Sequence, residues 1–144
     1  MLKKLRSEQG FTLLELLVVI VIIGILALLI IPNLTSAPKK ARDVQRKTDL
    51  RAVQKSLEEY YVSNNAYPVT TTFTALSTSL VPSIMRALPV DPSTGNPVYY
   101  YSGTATAYTL KGCLENTGDA GQYVLSDTTY CGTGGKAFTL NNNN

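Results

Sequence analysis

Hydrophobic and polar positions follow three successive patterns along the chain. Residues 16–31 read LLVVIVIIGILALLII, sixteen apolar positions in a row, with Glu15 immediately before them. Residues 34–61 keep a helical period, but the apolar stripe moves. Leu34, Ala37, Ala41, Val44 and Thr48 recur at intervals of three and four. Leu50, Val53, Leu57 and Tyr60 then do the same. At about 100° per residue the second stripe lies roughly 150° around the helix from the first. Such a helix offers one face to neighbouring subunits and another to the chain's own globular part. Two helices broken near Thr48 are the alternative. A continuous helix from Phe11 to about Ser63 would be roughly 80 Å long, more than one small domain can bury, which favours an assembly.

After residue 63 the period changes. Asn64-Asn65 ends the helix and Tyr67-Pro68 opposes its resumption. A short helix is expected around Ala75–Val81. Residues 88–97, LPVDPSTGNP, contain three prolines and read as a loop. Candidate strands follow at Val98–Tyr101, Ala107–Lys111, Gln122–Leu125 and Ala137–Leu140, with turns at Ser102-Gly103 and Asn116-Thr117-Gly118. Short connections favour antiparallel pairing. The predicted fold is α+β: a long N-terminal helix, apolar and membrane-spanning in its first half and amphipathic in its second, packed on a small antiparallel sheet through Leu50, Val53, Leu57 and Tyr60. Asn141–Asn144 reads as a disordered tail.

Charge sharpens this division. Residues 1–10 carry Lys3, Lys4 and Arg6 against Glu8, and residues 39–59 carry seven basic and four acidic side chains. The last 81 residues hold only seven charges in all. A basic start before an apolar run places the N-terminus in the cytoplasm and the globular part across the membrane. The charged band reads as a solvated helix face with neighbours such as Asp43–Lys47 and Arg51–Lys55–Glu59. Pairing between subunits or attraction to anionic lipid is the alternative. Histidine is absent, and no phosphate-binding loop, dinucleotide fingerprint or metalloprotease motif occurs. Without the commonest general base and metal ligand, an enzyme is not expected. A net charge of +3 gives no argument for nucleic acid.

The first forty residues admit three readings. One is a cleaved secretory signal ending near Thr35-Ser36-Ala37, although the apolar run exceeds the usual 7–15 residues or so. Another is a plain anchor, since Phe11–Ile31 is long enough to cross a bilayer. Both leave Glu15 without a purpose, and a carboxylate at helix depth costs on the order of 3 kcal/mol. The third reading uses every residue of the string Gly10-Phe11-Thr12-Leu13-Leu14-Glu15-Leu16. It resembles the processing site of type IV pilins and pseudopilins: a short basic leader ending in Gly, a Phe that becomes the mature N-terminus, then Thr-Leu-x-Glu-Leu and an apolar helix.

The resemblance implies cleavage between Gly10 and Phe11 by a prepilin peptidase, N-methylation of Phe11, and pairing of Glu15 with the N-terminal amine of a neighbouring subunit. Pairing of Glu15 with its own amine is the intrachain alternative. It also implies that the helix can unwind at Gly24 and Pro32 when subunits pack; an ordinary kink is the other reading. The segments expected are a leader (1–10), a transmembrane and filament-core helix (11–34), an amphipathic helix (35–63) and a globular head (64–144). Ala66-Tyr67-Pro68, Leu88-Pro89-x-Asp91-Pro92 and Tyr99-x-Tyr101 look like the heads of major pseudopilins of type II secretion and related pilins.

In an exported head Cys113 and Cys131 read as a disulfide of the kind that often closes a pilin's C-terminal loop, with two free thiols as the alternative. Major pseudopilins often bind calcium in that region. Asp119 and Asp127 are the acidic candidates, without EF-hand spacing. No other cofactor is implied. All nine tyrosines lie at or after Tyr60. Tyr99-Tyr100-Tyr101 reads as alternate packing and solvent-facing residues, or as an adhesive surface.

The expectation is therefore a structural subunit of a type IV pilus-like filament, serving adhesion, motility or DNA uptake. It starts in the inner membrane and is assembled by a membrane platform and motor into a helical homo-oligomer. The alternatives are a major pseudopilin of a type II secretion system and a membrane-anchored binding module that does not polymerise.

Overall fold

The computed structural model describes residues 10–93 and 99–143; within that range the side chains of residues 29 and 31–35 lie outside the description. The chain divides into two compact units, Met1–Ala37 and Pro38–Asn144.

A single helix, α1, is assigned from Leu13 to Asn64, 52 residues. It continues through Gly24, Pro32 and Thr48. The chain as described thus has no break at Gly24 or Pro32, and none near Thr48. In the first unit the described apolar side chains are bare: Leu14 is 71% exposed and Leu28 72%. Among the described residues no helix is long and apolar enough to cross a membrane.

In the second unit α1 turns the predicted stripe inward. Leu50, Val53 and Leu57 are completely buried. The first stripe does the opposite: Ala37, Ala41, Val44 and Thr48 are exposed, Val44 by 63%. The helix ends as its sequence dictates. Asn65 takes the left-handed conformation (φ 54°), and its N–H donates to the Tyr61 carbonyl at 2.7 Å.

A 3-10 turn at Thr74–Leu76 leads into a short helix, α2 (Ser77–Leu80), whose Leu80 reaches the core. Four strands follow: β1 (Tyr100–Gly103), β2 (Tyr108–Leu114), β3 (Val124–Ser126) and β4 (Lys136–Asn141). The sheet order is β1-β2-β4-β3, antiparallel throughout. Along β2 every second residue is buried, so Tyr108, Leu110, Gly112 and Leu114 face inward. The core joins them to Leu50, Val53 and Leu57 of α1 and to Tyr101, Phe138 and Leu140. Gly112 is glycine for contact: a Cβ there would lie 2.9 Å from Leu50 Cδ1. At Gly103 a Cβ would lie 2.6 Å from the Pro68 carbonyl oxygen and meet the Tyr101 hydroxyl.

All four predicted strands are present within a few residues, although Val98, expected in the first, lies outside the described residues. The expected tail is shorter than predicted. Asn141 is still paired with Thr109 in the ladder, and Asn142 Nδ2 donates to the Thr106 carbonyl at 3.3 Å. Pairing with the interior strand β2 thus holds residues that composition alone marks as loose. A further short helix, α3 (Thr128–Cys131), was not predicted; Asp127 caps it by accepting from the Tyr130 N–H at 2.9 Å.

Candidate functional site

The first site candidate is the start of α1. Thr12 N–H donates to Glu15 Oε2 at 2.9 Å, and the Thr12 hydroxyl donates to the same oxygen at 2.8 Å. In return Glu15 N–H donates to Thr12 Oγ1 at 3.2 Å. This is a capping box: the side chain before the helix and the acid three residues later satisfy each other's orphan N–H groups. The Glu15 carboxylate therefore stands on the first turn, where the helix dipole favours negative charge. Gly10 and Phe11 lie directly before it, and Phe11 is 81% exposed. The peptide bond between them, the expected cleavage position, joins two exposed residues. Thr12 was not among the expected site residues, yet its Thr-x-x-Glu spacing is a capping signature.

Gly24 is exposed, and a Cβ there would touch nothing within 4 Å. Its glycine is not required by packing inside this chain. The Pro32 side chain lies outside the described residues.

The second candidate lies in the other unit, where the charged band meets the head. The expected solvated face holds at Lys39, Lys40, Arg51, Lys55, Glu58 and Glu59, which are exposed, and fails at two positions. Asp43 and Arg46 are each only 2% exposed. Both continue the buried stripe, since 43, 46, 50, 53 and 57 keep the 3-4-3-4 spacing. Asp43 does not pair with Lys47. It accepts from Arg46 Nη1 at 2.8 Å and from the backbone N–H groups of Glu115 and Asn116 at 2.9 and 2.8 Å. Arg46 also donates to both Asp91 oxygens, 2.7 and 3.0 Å away, and to Ser93 Oγ at 2.8 Å. Arg42 grips Glu115 with two N–H groups, through Nε at 2.7 Å and Nη2.

This network assigns a purpose to the Leu-Pro-x-Asp-Pro motif. Asp91 ties the proline-rich loop to α1, and Glu115 ties the end of β2 to the same helix turn. The electrostatics follow. Arg42 and then Arg46 hold the Glu115 carboxyl down to about 2, against the burial that works the other way. Burial would raise the Asp91 carboxyl, but its bonds from Arg46 and Ser93 outweigh that and leave it lowered. Among the described residues no buried side-chain nitrogen or oxygen lacks a partner.

Cys113 of β2 and Cys131 at the end of α3 form a disulfide, with Cα atoms 5.5 Å apart. It ties α3 to the centre of the sheet. Asp119 and Asp127, the calcium candidates, serve separate lysines. Lys47 Nζ donates to Asp119 Oδ2 at 2.6 Å, and Lys111 Nζ donates to Asp127 Oδ2 at 2.7 Å. The remaining oxygens of both carboxylates accept backbone N–H groups, Asp119 Oδ1 from Gly121 and Asp127 Oδ1 from Tyr130. Calcium takes six to eight oxygens at about 2.3–2.6 Å. These oxygens face hydrogen-bond donors instead, and the residues present do not fit the ion. No group of three or more acids or cysteines able to hold a metal exists among the described residues.

Tyr99 and Tyr101 are buried, and the Tyr99 hydroxyl donates to Asp49 Oδ2 at 2.7 Å. Burial first, then this bond, raises the Tyr99 phenol. Tyr100 faces the other side, against Tyr130 at 5.3 Å. The tyrosine run is therefore a packing element on two of its three members. Tyr67 and Tyr108 both donate to Glu58, at 2.9 and 2.7 Å.

Comparison with known proteins agrees with the motif at the start of α1. The family described as the prokaryotic N-terminal methylation motif matches residues 5–31. The type II secretion system core protein G of Pseudomonas aeruginosa is 34% identical over 138 residues, covering 82% of this chain and 96% of that protein. The proteins of the same name from Vibrio cholerae and Aeromonas hydrophila are 45% identical over 69 residues and 48% over 65. The chain spans about half the length of those two, 47% and 46%. No solved structure matches.

Proposed function

We infer the function of this chain from its kinship: it belongs to the pilin and pseudopilin family as a relative of the type II secretion system core protein G, and we propose that it is the major pseudopilin of such a system. The observation that carries this reading is the likeness to the Pseudomonas protein over 96% of that protein's length, which takes in the head as well as the motif. The expectation of a surface pilus gives way to the secretion pseudopilus on that ground. One observation remains on the side of a pilus, the disulfide that closes the C-terminal loop.

The mechanism is mechanical. Before assembly the apolar run of residues 16–31 lies in the inner membrane, with Lys3, Lys4 and Arg6 on the cytoplasmic side. Prepilin peptidase cuts after Gly10 and methylates Phe11. The cut leaves a positive amine one residue before Thr12, while Glu15 stays on the first turn. A membrane platform and motor then lift the subunit into a helical homo-oligomer, without nucleic acid as a partner. In the apolar filament core an ammonium and a carboxylate must neutralise each other. Glu15 exchanges its bonds to Thr12 for the amine of a neighbour.

The bare apolar face of the first unit supports this reading. The exposed apolar side chains between Leu13 and Leu28 need lipid first and other stems afterwards. The exposed stripe Ala37, Ala41, Val44 and Thr48 faces neighbouring subunits. Gly24 and Pro32 let the helix loosen there as subunits pack. The filament stands in the periplasm and moves substrates outward. Deletion of the gene tests the assignment: loss of secreted proteins from the medium with surface fibres unchanged supports it, and loss of surface fibres with secretion intact assigns the chain to a pilus.

A further inference from the structure

Each acid between residues 115 and 127 has a cation of its own from elsewhere in the chain. Glu115 has Arg42 and Arg46, Asp119 has Lys47, and Asp127 has Lys111. Around Asp119 there is a second one: Lys136 Nζ donates to the Asp119 carbonyl oxygen at 2.8 Å. Lys47 comes from α1 and Lys136 from β4, so two ammonium groups converge on one residue from two elements. Lys47 is further held over the Phe138 ring, 5.8 Å from its centroid.

Three further oxygens of the loop also accept hydrogen bonds. Asn116 Oδ1 accepts from Gly118 N–H at 3.2 Å, the Asn116 carbonyl from Asp119 N–H at 3.0 Å, and the Gly121 carbonyl from Val124 N–H at 3.1 Å. A divalent ion at Asp119 would have to strip these donors and sit beside two like charges.

We propose that Lys47 and Lys136 are internal counter-cations of the loop 115–122, holding it by charge-assisted hydrogen bonds so that the head folds without a divalent ion. The loop is pinned to α1 and β4 at Asp119 and to α1 at Glu115; beyond it, Lys111 of β2 holds Asp127 at the start of α3. A bound ion in such a loop makes stability depend on its concentration; a lysine built into the chain does not. The proposal stands whichever filament the subunit serves.

The test uses the full-length chain in detergent. Thermal unfolding of the head is followed in about 1 mM calcium chloride and in about 1 mM EDTA, since an ion bound only to the folded state would raise the midpoint. The proposal expects midpoints that agree within about 1 °C; a rise of about 5 °C or more in calcium would overturn it. In the second arm, Lys47→Met with Lys136→Met is digested with a Glu- and Asp-specific serine protease, which needs no metal ion. Cleavage within 115–122 is expected about tenfold faster than in the natural chain, with or without calcium. Unchanged cleavage in that variant would show that the ammonium groups do not hold the loop. The calcium comparison needs only the natural chain, so it decides even where the variant does not fold.

Discussion

The Arg46 guanidinium meets the Asp91 carboxylate edge to edge, Nε to Oδ2 at 2.7 Å and Nη2 to Oδ1 at 3.0 Å, across 45 residues of sequence. Two parallel N–H···O bonds fix distance and plane together, and a buried arginine placed this way is not replaceable by a point charge. The pair locks the proline-rich loop onto the helix on which the sheet also packs.

Arg46→Ala leaves the Asp43 and Asp91 carboxylates uncompensated. Removing one partner of a buried ion pair costs about 3–5 kcal/mol. Denaturant unfolding of the head should show a loss of that size. Arg46→Lys should recover less than half of it, because an ammonium cannot reproduce the fork.

Acid should loosen the same region. The Glu115 carboxyl titrates at about 2 in the fold, below the ordinary value of 4.5, because Arg42 and Arg46 bond its charged form. A lowered folded pKa contributes stability above the unfolded value and loses it as pH falls through the folded one. The loss therefore belongs between roughly pH 4.5 and 2. Asp91, Asp119 and Asp127 are lowered too and add to it. Thermal midpoints across this range should fall more steeply for the natural chain than for Glu115→Gln, which lacks the titrating group.

Cys113→Ser with Cys131→Ser removes a cross-link between residues 18 apart. In the chain-entropy account that loop is worth about 3 kcal/mol. The double variant should unfold at correspondingly lower denaturant, and α3 should exchange its amide hydrogens fastest, since it loses its covalent tie to β2 and keeps the Lys111–Asp127 pair at its cap.

Glu15 caps its own helix, the proposed filament gives it a second job, and substitution separates the two. Glu15→Gln keeps an oxygen able to accept from Thr12 and so keeps most of the helix cap, worth about 1 kcal/mol. It removes the charge that, in the proposed filament, neutralises a neighbouring amine. Both Glu15→Gln and Glu15→Ala should abolish filament formation while the subunit stays in the membrane fraction. Filaments from Glu15→Gln would limit Glu15 to capping its own helix.

The parts of this architecture that depend on local spacing were legible in the sequence. Leu50, Val53 and Leu57 announce the buried helix face, Asn64-Asn65 its end, and the alternation from Tyr108 to Leu114 the central strand. Partnerships across long sequence separations were not. Nothing local connects Arg46 to Asp91, or Lys47 to Asp119, 72 residues away. A helical charge run is ordinarily solvated, so Asp43 and Arg46 were read as surface. Their continuation of the 3-4-3-4 stripe was the available signal. At the N-terminus the motif is legible from its order of residues, and the Thr-x-x-Glu spacing is the local signal for the reciprocal bonds of Thr12 and Glu15.

The central claim is that this chain is a processed filament subunit, and mass spectrometry of its N-terminus in native envelopes tests it most directly. The account predicts a mature chain that begins at N-methylated Phe11, concentrated in the envelope. A chain that begins at Met1, or after Ala37, would contradict it.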